Sequence, residues 1–303
     1  MGLNMRTDLA VEAFETNGGA NVLEIGEIEG VIVKIERIRE ITVTNVEITS
    51  EKGAEDLGKP RGKYVTLQAE DFTRGGAGRQ KELIFLIAEM IEKIKNVNLW
   101  KKVLVVGLGN TNITPDSIGP ETVKNIMVTR QLKQLYGQMP EKVTEISAMS
   151  AGVPGLTGIQ SGEIVGSLVR ELEPDLLIVI DALATNSMTR LCASVQITDA
   201  GIVPGSGVGN SRTEISEASC GIPVLAIGVP TVVDSGVIIR EFVESVGMSE
   251  EIEDIEVETP DFLVTSKDID AIVKKISKII AYALNMLFNR DFTLEEIMEI
   301  VEQ

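Results

Sequence analysis

The chain contains no histidine. Ser-His and Cys-His nucleophilic pairs are therefore excluded, as are zinc sites built on imidazole, H-E-x-x-H included. Acid-base work near neutral pH falls to carboxylates, lysine, tyrosine or cysteine. Three aspartates stand out by position. Asp116 closes the loop G-L-G-N-T-N-I-T-P-D, which begins at Gly107 after the apolar run Val103 to Val106. Asp181 ends L-L-I-V-I-D, and Asp234 ends G-V-P-T-V-V-D, downstream of the apolar run Val224 to Ile227. Two carboxylates facing one water can divide the acid and base roles, because proximity raises one of the two pKa values. Each aspartate also has a structural reading. Asp116 and Asp234 can cap the helices that follow them, and for Asp234 the cap is preferred to a third place in a site. Asp181 can be a hydrogen-bonded strand-end acid that orders a loop.

The elements that must position these acids follow from periodicity. The chain reads as β up to about Leu67, with strands over Gly30 to Ile35, Ile41 to Ile48 and Tyr64 to Leu67. Apolar residues from Leu83 to Ile94 recur at helical spacing. From Lys102 the pattern becomes strand, turn and helix repeated. Strands are expected over Val103 to Val106, Val143 to Ala148, Leu176 to Ile180, Ala193 to Ile197 and Val224 to Ile227. Helices are expected over Ser117 to Tyr136, Ser161 to Leu172 and Lys267 to Phe288. Fully apolar strands alternating with helices predict an α/β fold, a mostly parallel sheet with helices on both faces and an additional small N-terminal β region. In such sheets ligands sit beyond the carboxyl ends of the strands, where these aspartates lie.

Composition narrows the function classes. A net charge of −18 argues against a direct nucleic-acid surface and reads as solubility. Apolar runs are too short to span a bilayer, and no signal pattern follows the N-terminus, so a cytoplasmic protein with no membrane partner is expected. Cys192 and Cys220 have no metal-ligand spacing and read as small buried hydrophobes in a reducing compartment. The glycine-rich segment Gly201 to Asn210 lacks the ending of a phosphate loop and reads as a loop rimming a cleft or as irregular structure. The acidic stretch Ser249 to Glu258 reads as a solvated loop, and the residues before about Asn21 as a mobile arm.

Several long motifs then occur together and in order: R-T-D-L-A-V-E-A (Arg6 to Ala13), G-V-I-V (Gly30 to Val33) and K-Y-V-T-L (Lys63 to Leu67). They continue with V-V-G-L-G-N (Val105 to Asn110), T-P-D-S-I-G-P (Thr114 to Pro120) and I-D-A-L-A (Ile180 to Ala184), then G-I-V-P-G-S-G-V-G-N and G-I-P-V-L-A-I-G-V-P-T-V-V-D (Gly221 to Asp234). With these the chain resembles the germination proteases of spore-forming bacteria, the GPR endopeptidases. The resemblance runs from Arg6 to near Phe288; the chain is shorter than the longest relatives between Val246 and Lys267. It implies one α/β peptidase domain over residues 1–303, similar in fold to hydrogenase maturation proteases. It implies an endopeptidase of the forespore or spore core that degrades small acid-soluble spore proteins at germination, and a homotetramer made as a zymogen. Asp116 and Asp181 match the family's implicated aspartates. Residues 1–8 match a propeptide removed by self-cleavage between Asp8 and Leu9. No cofactor is implied. The alternative reading is a metal-dependent peptidase or maturation factor, in which an all-oxygen site of Asp116, Asp181 and Asp234 holds a hard divalent cation.

Overall fold

The computed structural model describes residues 7–17, 28–96, 100–137, 143–205, 213–246 and 262–302. The acidic stretch Ser249 to Glu258 and residues 206–210 of the glycine-rich segment lie outside them. The described strands are β1 (Val31–Ile38), β2 (Ile41–Ile48), β3 (Gly62–Gln68), β4 (Lys102–Leu108), β5 (Glu145–Gly152), β6 (Leu176–Thr185), β7 (Ser194–Thr198), β8 (Val224–Asp234) and β9 (Leu263–Val264). They form one sheet in the order β1-β2-β3-β7-β8-β6-β4-β5, with β9 paired to β8. Strands β8, β6, β4 and β5 run parallel, and β1, β2, β3 and β7 continue the sheet in antiparallel pairs. The N-terminal β region is thus hydrogen-bonded edge to edge with the α/β core through β3 and β7 instead of standing beside it.

Alternation along each central strand feeds two cores. On one face Val103, Val105, Ile178, Ile180, Leu225 and Ile227 pack with Leu83, Ile87 and Ile91 of the helix Ala77–Ile94 and with Ile276, Ile280 and Leu284 of the long helix Ile269–Phe288. On the other face Leu104, Val106, Leu177 and Val179 pack against Val165 and Val169 of the helix Ser161–Leu172. Residues Leu176 to Ile180 are wholly buried, and each such side chain contributes about 1.5–3 kcal/mol through removal from water.

Two expectations are corrected. The segment before Asn21 is no mobile arm over its described part. Ala10–Thr16 forms α1, and Leu9, Ala10, Val11 and Phe14 are buried against β2, β3 and Leu183. Being apolar nearly all round, this short segment enters the core instead of waiting outside it. The single helix expected from Ser117 to Tyr136 is two, Ile118–Val123 and Arg130–Tyr136. The chain between them is held elsewhere: Met127 N–H donates to Asn285 Oδ1 at 2.9 Å, and the Thr129 hydroxyl accepts from Ile146 N–H at 2.9 Å. Cys192 is buried as expected, while Cys220 is only half-buried.

Candidate active site

The loop after β4 is folded by two close backbone approaches. Gly109 adopts φ +113°, and a Cβ there would lie 1.9 Å from the Asp116 carbonyl oxygen. A Cβ on Gly119 would lie 2.3 Å from the Leu108 carbonyl oxygen and 2.5 Å from that of Ile180. The start of the helix Ile118–Val123 therefore rests directly on the backbone of β4 and β6, at the residue before Asp181. This contact carries Asp116 to the end of β6.

Asp116 ends a 3-10 turn, Thr114–Asp116, with Ser117 in the cap position of the helix that follows. Its carboxylate does not cap that helix. It turns back and accepts the Asn110 N–H at 2.9 Å, while the Asp116 carbonyl accepts the same N–H at 3.0 Å. Asp181 is 5% exposed and accepts the Ala182 N–H at 2.9 Å. Both aspartates line one cavity of about 480 Å³, together with Leu108, Ser161, Pro204 and Thr231. Pro204 and Gly205 bring the start of the glycine-rich segment to its wall. The cavity lies beyond the carboxyl end of β4 and alongside the second half of β6. Asp181 does not end its strand as the sequence suggests, because β6 continues through Ala182 to Thr185, paired with β8.

Asp234 does not join them. It is absent from the cavity lining, and its carboxylate accepts the Gly236 N–H at 2.7 Å at the start of the helix Ser235–Ser245, as an N-cap does. The third acid at the cavity is instead Asp8. Its N–H donates to the Ala184 carbonyl at 3.1 Å, and its Oδ2 accepts the Ala184 N–H at 2.8 Å, so the N-terminal segment lies against the end of β6. Lys59 Nζ holds the Thr7 carbonyl at 2.8 Å, and burial lowers the pKa of this lysine despite the nearby Asp8 and Glu12 carboxylates. Asp8 also borders a second cavity of about 250 Å³ lined by Tyr64, Gln196 and Gly228. Asp8 and Leu183 thus border both cavities.

Sequence reasoning missed the residues that hold this segment. Gln196 on β7 accepts the Ala10 N–H through Oε1 at 2.8 Å and donates from Nε2 to the Asp8 carbonyl at 3.3 Å. Glu12 is wholly buried; it accepts the Asn186 N–H at 2.8 Å and the hydroxyls of Thr7 and Thr185. Burial raises its pKa, and these hydrogen bonds together with Arg190 oppose the rise. Arg190 grips Glu15 with two hydrogen bonds of 2.8 and 2.6 Å and lies 3.6 Å from Glu12. The available signal was a polar residue inside an apolar pattern: Gln196 between Val195 and Ile197, and Glu12 between Val11 and Ala13.

Among the described residues no three Asp, Glu or Cys side chains gather closely enough to hold a metal ion, and no helix is long and apolar enough to cross a membrane.

The family model for germination protease matches residues 10–250. The germination protease of Clostridium perfringens is 39% identical, covering 97% of this chain and 98% of that protein. That of Caldanaerobacter subterraneus is 37% identical, covering 99% and 98%. The [NiFe] hydrogenase maturation protease HycI of Thermococcus kodakarensis superposes over 61% of this chain and 93% of that one, with 16% identity and a TM-score of 0.33, too loosely to carry an argument. On its sequence relatives, this chain belongs to the germination protease family and is a peptidase.

Proposed function

We propose that this chain is an endopeptidase that degrades small acid-soluble spore proteins when germination begins, and that it is made as a precursor which removes residues 1–8 by cutting its own Asp8–Leu9 bond. Asp116 and Asp181 activate the water. One carboxylate accepts a proton as the water oxygen bonds to the Asp8 carbonyl carbon. The C–N bond then breaks, and the second acid protonates the departing Leu9 nitrogen. The products are a carboxylate on Asp8 and an amine on Leu9, with no other reactant. The observation that carries this reading is that Asp116, Asp181 and Asp8 line one cavity. Membership of the family supports a protease acting in spore germination. The uncut segment, with Asp8 at the wall of the cavity a substrate would need, would account for an inactive precursor. On this reading the enzyme works in the forespore or spore core as a homotetramer.

The test is self-cleavage of the purified chain, read by mass spectrometry. Asp116→Asn and Asp181→Asn should each slow processing by about 10²–10⁴-fold, the range of a lost general acid or base, while leaving the fold intact. Full self-cleavage by either variant would refute the assignment. An all-carboxylate cation site has less support, since Asp234 points elsewhere. Activity lost on chelation and restored by a divalent cation would establish it instead.

A further inference from the structure

The carboxamide of Gln196 brackets the peptide bond between Asp8 and Leu9. Its Oε1 accepts from Ala10 N–H at 2.8 Å on one side, and its Nε2 donates to the Asp8 carbonyl at 3.3 Å on the other. The Ala10 contact fixes the orientation of the group: an N–H there demands the oxygen, so the NH₂ end must face the Asp8 carbonyl. The side chain is also held rigidly. Gln196 is 5% exposed, its neighbours Val195 and Ile197 are buried in the core, and β7 is hydrogen-bonded to β3 on one side and β8 on the other.

Sheet register links this donor to the acids. Gln196 is paired with Gly228 on β8, and Gly228 with Asp181 on β6. The amide and the acid thus stand in one row across the sheet with a glycine between them. Leu183 fills the space above that glycine: a Cβ on Gly228 would lie 2.3 Å from Leu183 Cδ1. Asp8 lies over this row and lines both the hollow that holds Gln196 and the cavity that holds Asp116 and Asp181. A hydrogen-bond donor on the carbonyl oxygen and carboxylates in the adjoining cavity are the two parts that amide hydrolysis requires.

We propose that Gln196 is a catalytic residue whose Nε2–H stabilises the oxyanion formed on the carbonyl before the scissile bond, on Asp8 in self-processing and on the equivalent carbonyl of a protein substrate afterwards. The inference rests on the reading that Asp8–Leu9 is the bond cut. When the water oxygen bonds to the carbonyl carbon, the C=O π pair moves onto oxygen, and the Nε2 hydrogen bond strengthens. Collapse returns that pair and expels the Leu9 nitrogen, which leaves with a proton from a carboxyl group. A donor aimed in advance on a side chain only 5% exposed costs no reorganisation at that moment. Ala10 remains in the chain after cleavage, so the orientation of Gln196 persists when Asp8 has gone.

Gln196→Glu keeps an oxygen for Ala10 N–H, removes the donor and adds a charge, and Gln196→Asn separates the last two effects. In the full-length chain it should slow self-cleavage at Asp8–Leu9 by about 10²–10³-fold, the effect of losing one oxyanion donor, with the urea midpoint of the wild type. Gln196→Asn, which draws the same amide back by a methylene, should also slow cleavage and serves where the added charge lowers stability. If the wild type cuts itself, Asp181→Asn does not, and both Gln196 variants process within about tenfold of the wild type, below the range of an oxyanion donor, the assignment of Gln196 is overturned while the aspartate reading stands. If the wild type never cuts at Asp8–Leu9, both fall together.

Discussion

In the parallel half of the sheet, β6 is buried along almost its whole length because helices cover both faces, and its Asp181 is held at 5% exposure. In the antiparallel half, β1 leaves Ile32 58% and Ile35 37% exposed, and one face of β2 and β3 is closed by the short α1 and the helix Glu51–Leu57. The first half is fixed by apolar packing that no local event can undo. The second closes with a seven-residue helix held by apolar contacts of Ala10, Ala13 and Phe14 and also by polar ones: Glu12 to Thr185 and Asn186, Arg190 to Glu15, and Gln196 to Ala10. The candidate site lies where they meet, with Asp116 and Asp181 supplied by the parallel half and Asp8 by the segment that leads into this helix. On the proposed function, a precursor would have its acids in one half and the segment it removes in the other.

Three substitutions put this contrast at risk. The largest effect is expected in the rigid half. Gly119→Ala forces a Cβ to within 2.3–2.5 Å of two strand carbonyls, so the helix must lift from β4 and β6 and take Asp116 with it. Overpacking of this kind costs about 1–3 kcal/mol, read by urea denaturation, and processing should slow as well. An alanine variant with native stability and rate would show that the close approach does not position Asp116.

Glu12→Gln tests the polar attachment through pH. The pKa of Glu12 is raised in the folded chain above its ordinary value of 4.5. The stability this shift represents is fully present below pH 4.5 and is lost as pH rises through the folded value. Between these limits the wild type should lose stability relative to the glutamine variant, with a slope of at most about 1.4 kcal/mol per pH unit. The groups around Glu12 that also carry charge are Arg190 and Lys59, and both remain in the variant. Parallel stability curves for the two proteins across that range would remove Glu12 as the source of any pH-dependent release.

The smallest effect is expected at Asp234→Asn. Asparagine caps a helix about as well as aspartate, so stability should change by no more than a few tenths of a kcal/mol. Self-cleavage should proceed at the wild-type rate, in contrast to Asp181→Asn on the neighbouring strand. A processing defect matching that of Asp181→Asn would bring Asp234 back into the site.

Much of the scaffold was legible from residue types. The apolar runs of β4, β6 and β8 and the helical spacing of Ala77–Ile94 and Ile269–Phe288 carry strong periodic signals, since whole faces must be buried. The helix Glu51–Leu57 was missed although its signals are present. Ser50 accepts the Gly53 N–H at 3.0 Å as a cap, and Gly58 ends the helix at φ +60°. The first helix offered less: Leu9 sits in its cap position without a side-chain hydrogen bond, and Ala-Val-Glu-Ala-Phe has no polar face to set a period.

The order of residues was enough to exclude histidine chemistry, to place acids after strands, and to identify the peptidase family through its motifs. It could not separate Asp181 from Asp234, because each follows an apolar run. What separates them is the partner each carboxylate finds: a cavity shared with Asp116 for one, the Gly236 amide for the other. Nor could it bring Asp8 to that cavity or Gln196 to the Asp8 carbonyl, since those contacts span 176 and 188 residues. Strand register and a glycine-sized approach between helix and sheet set those contacts. Both depend on the packing of the whole chain and on no local run of residues.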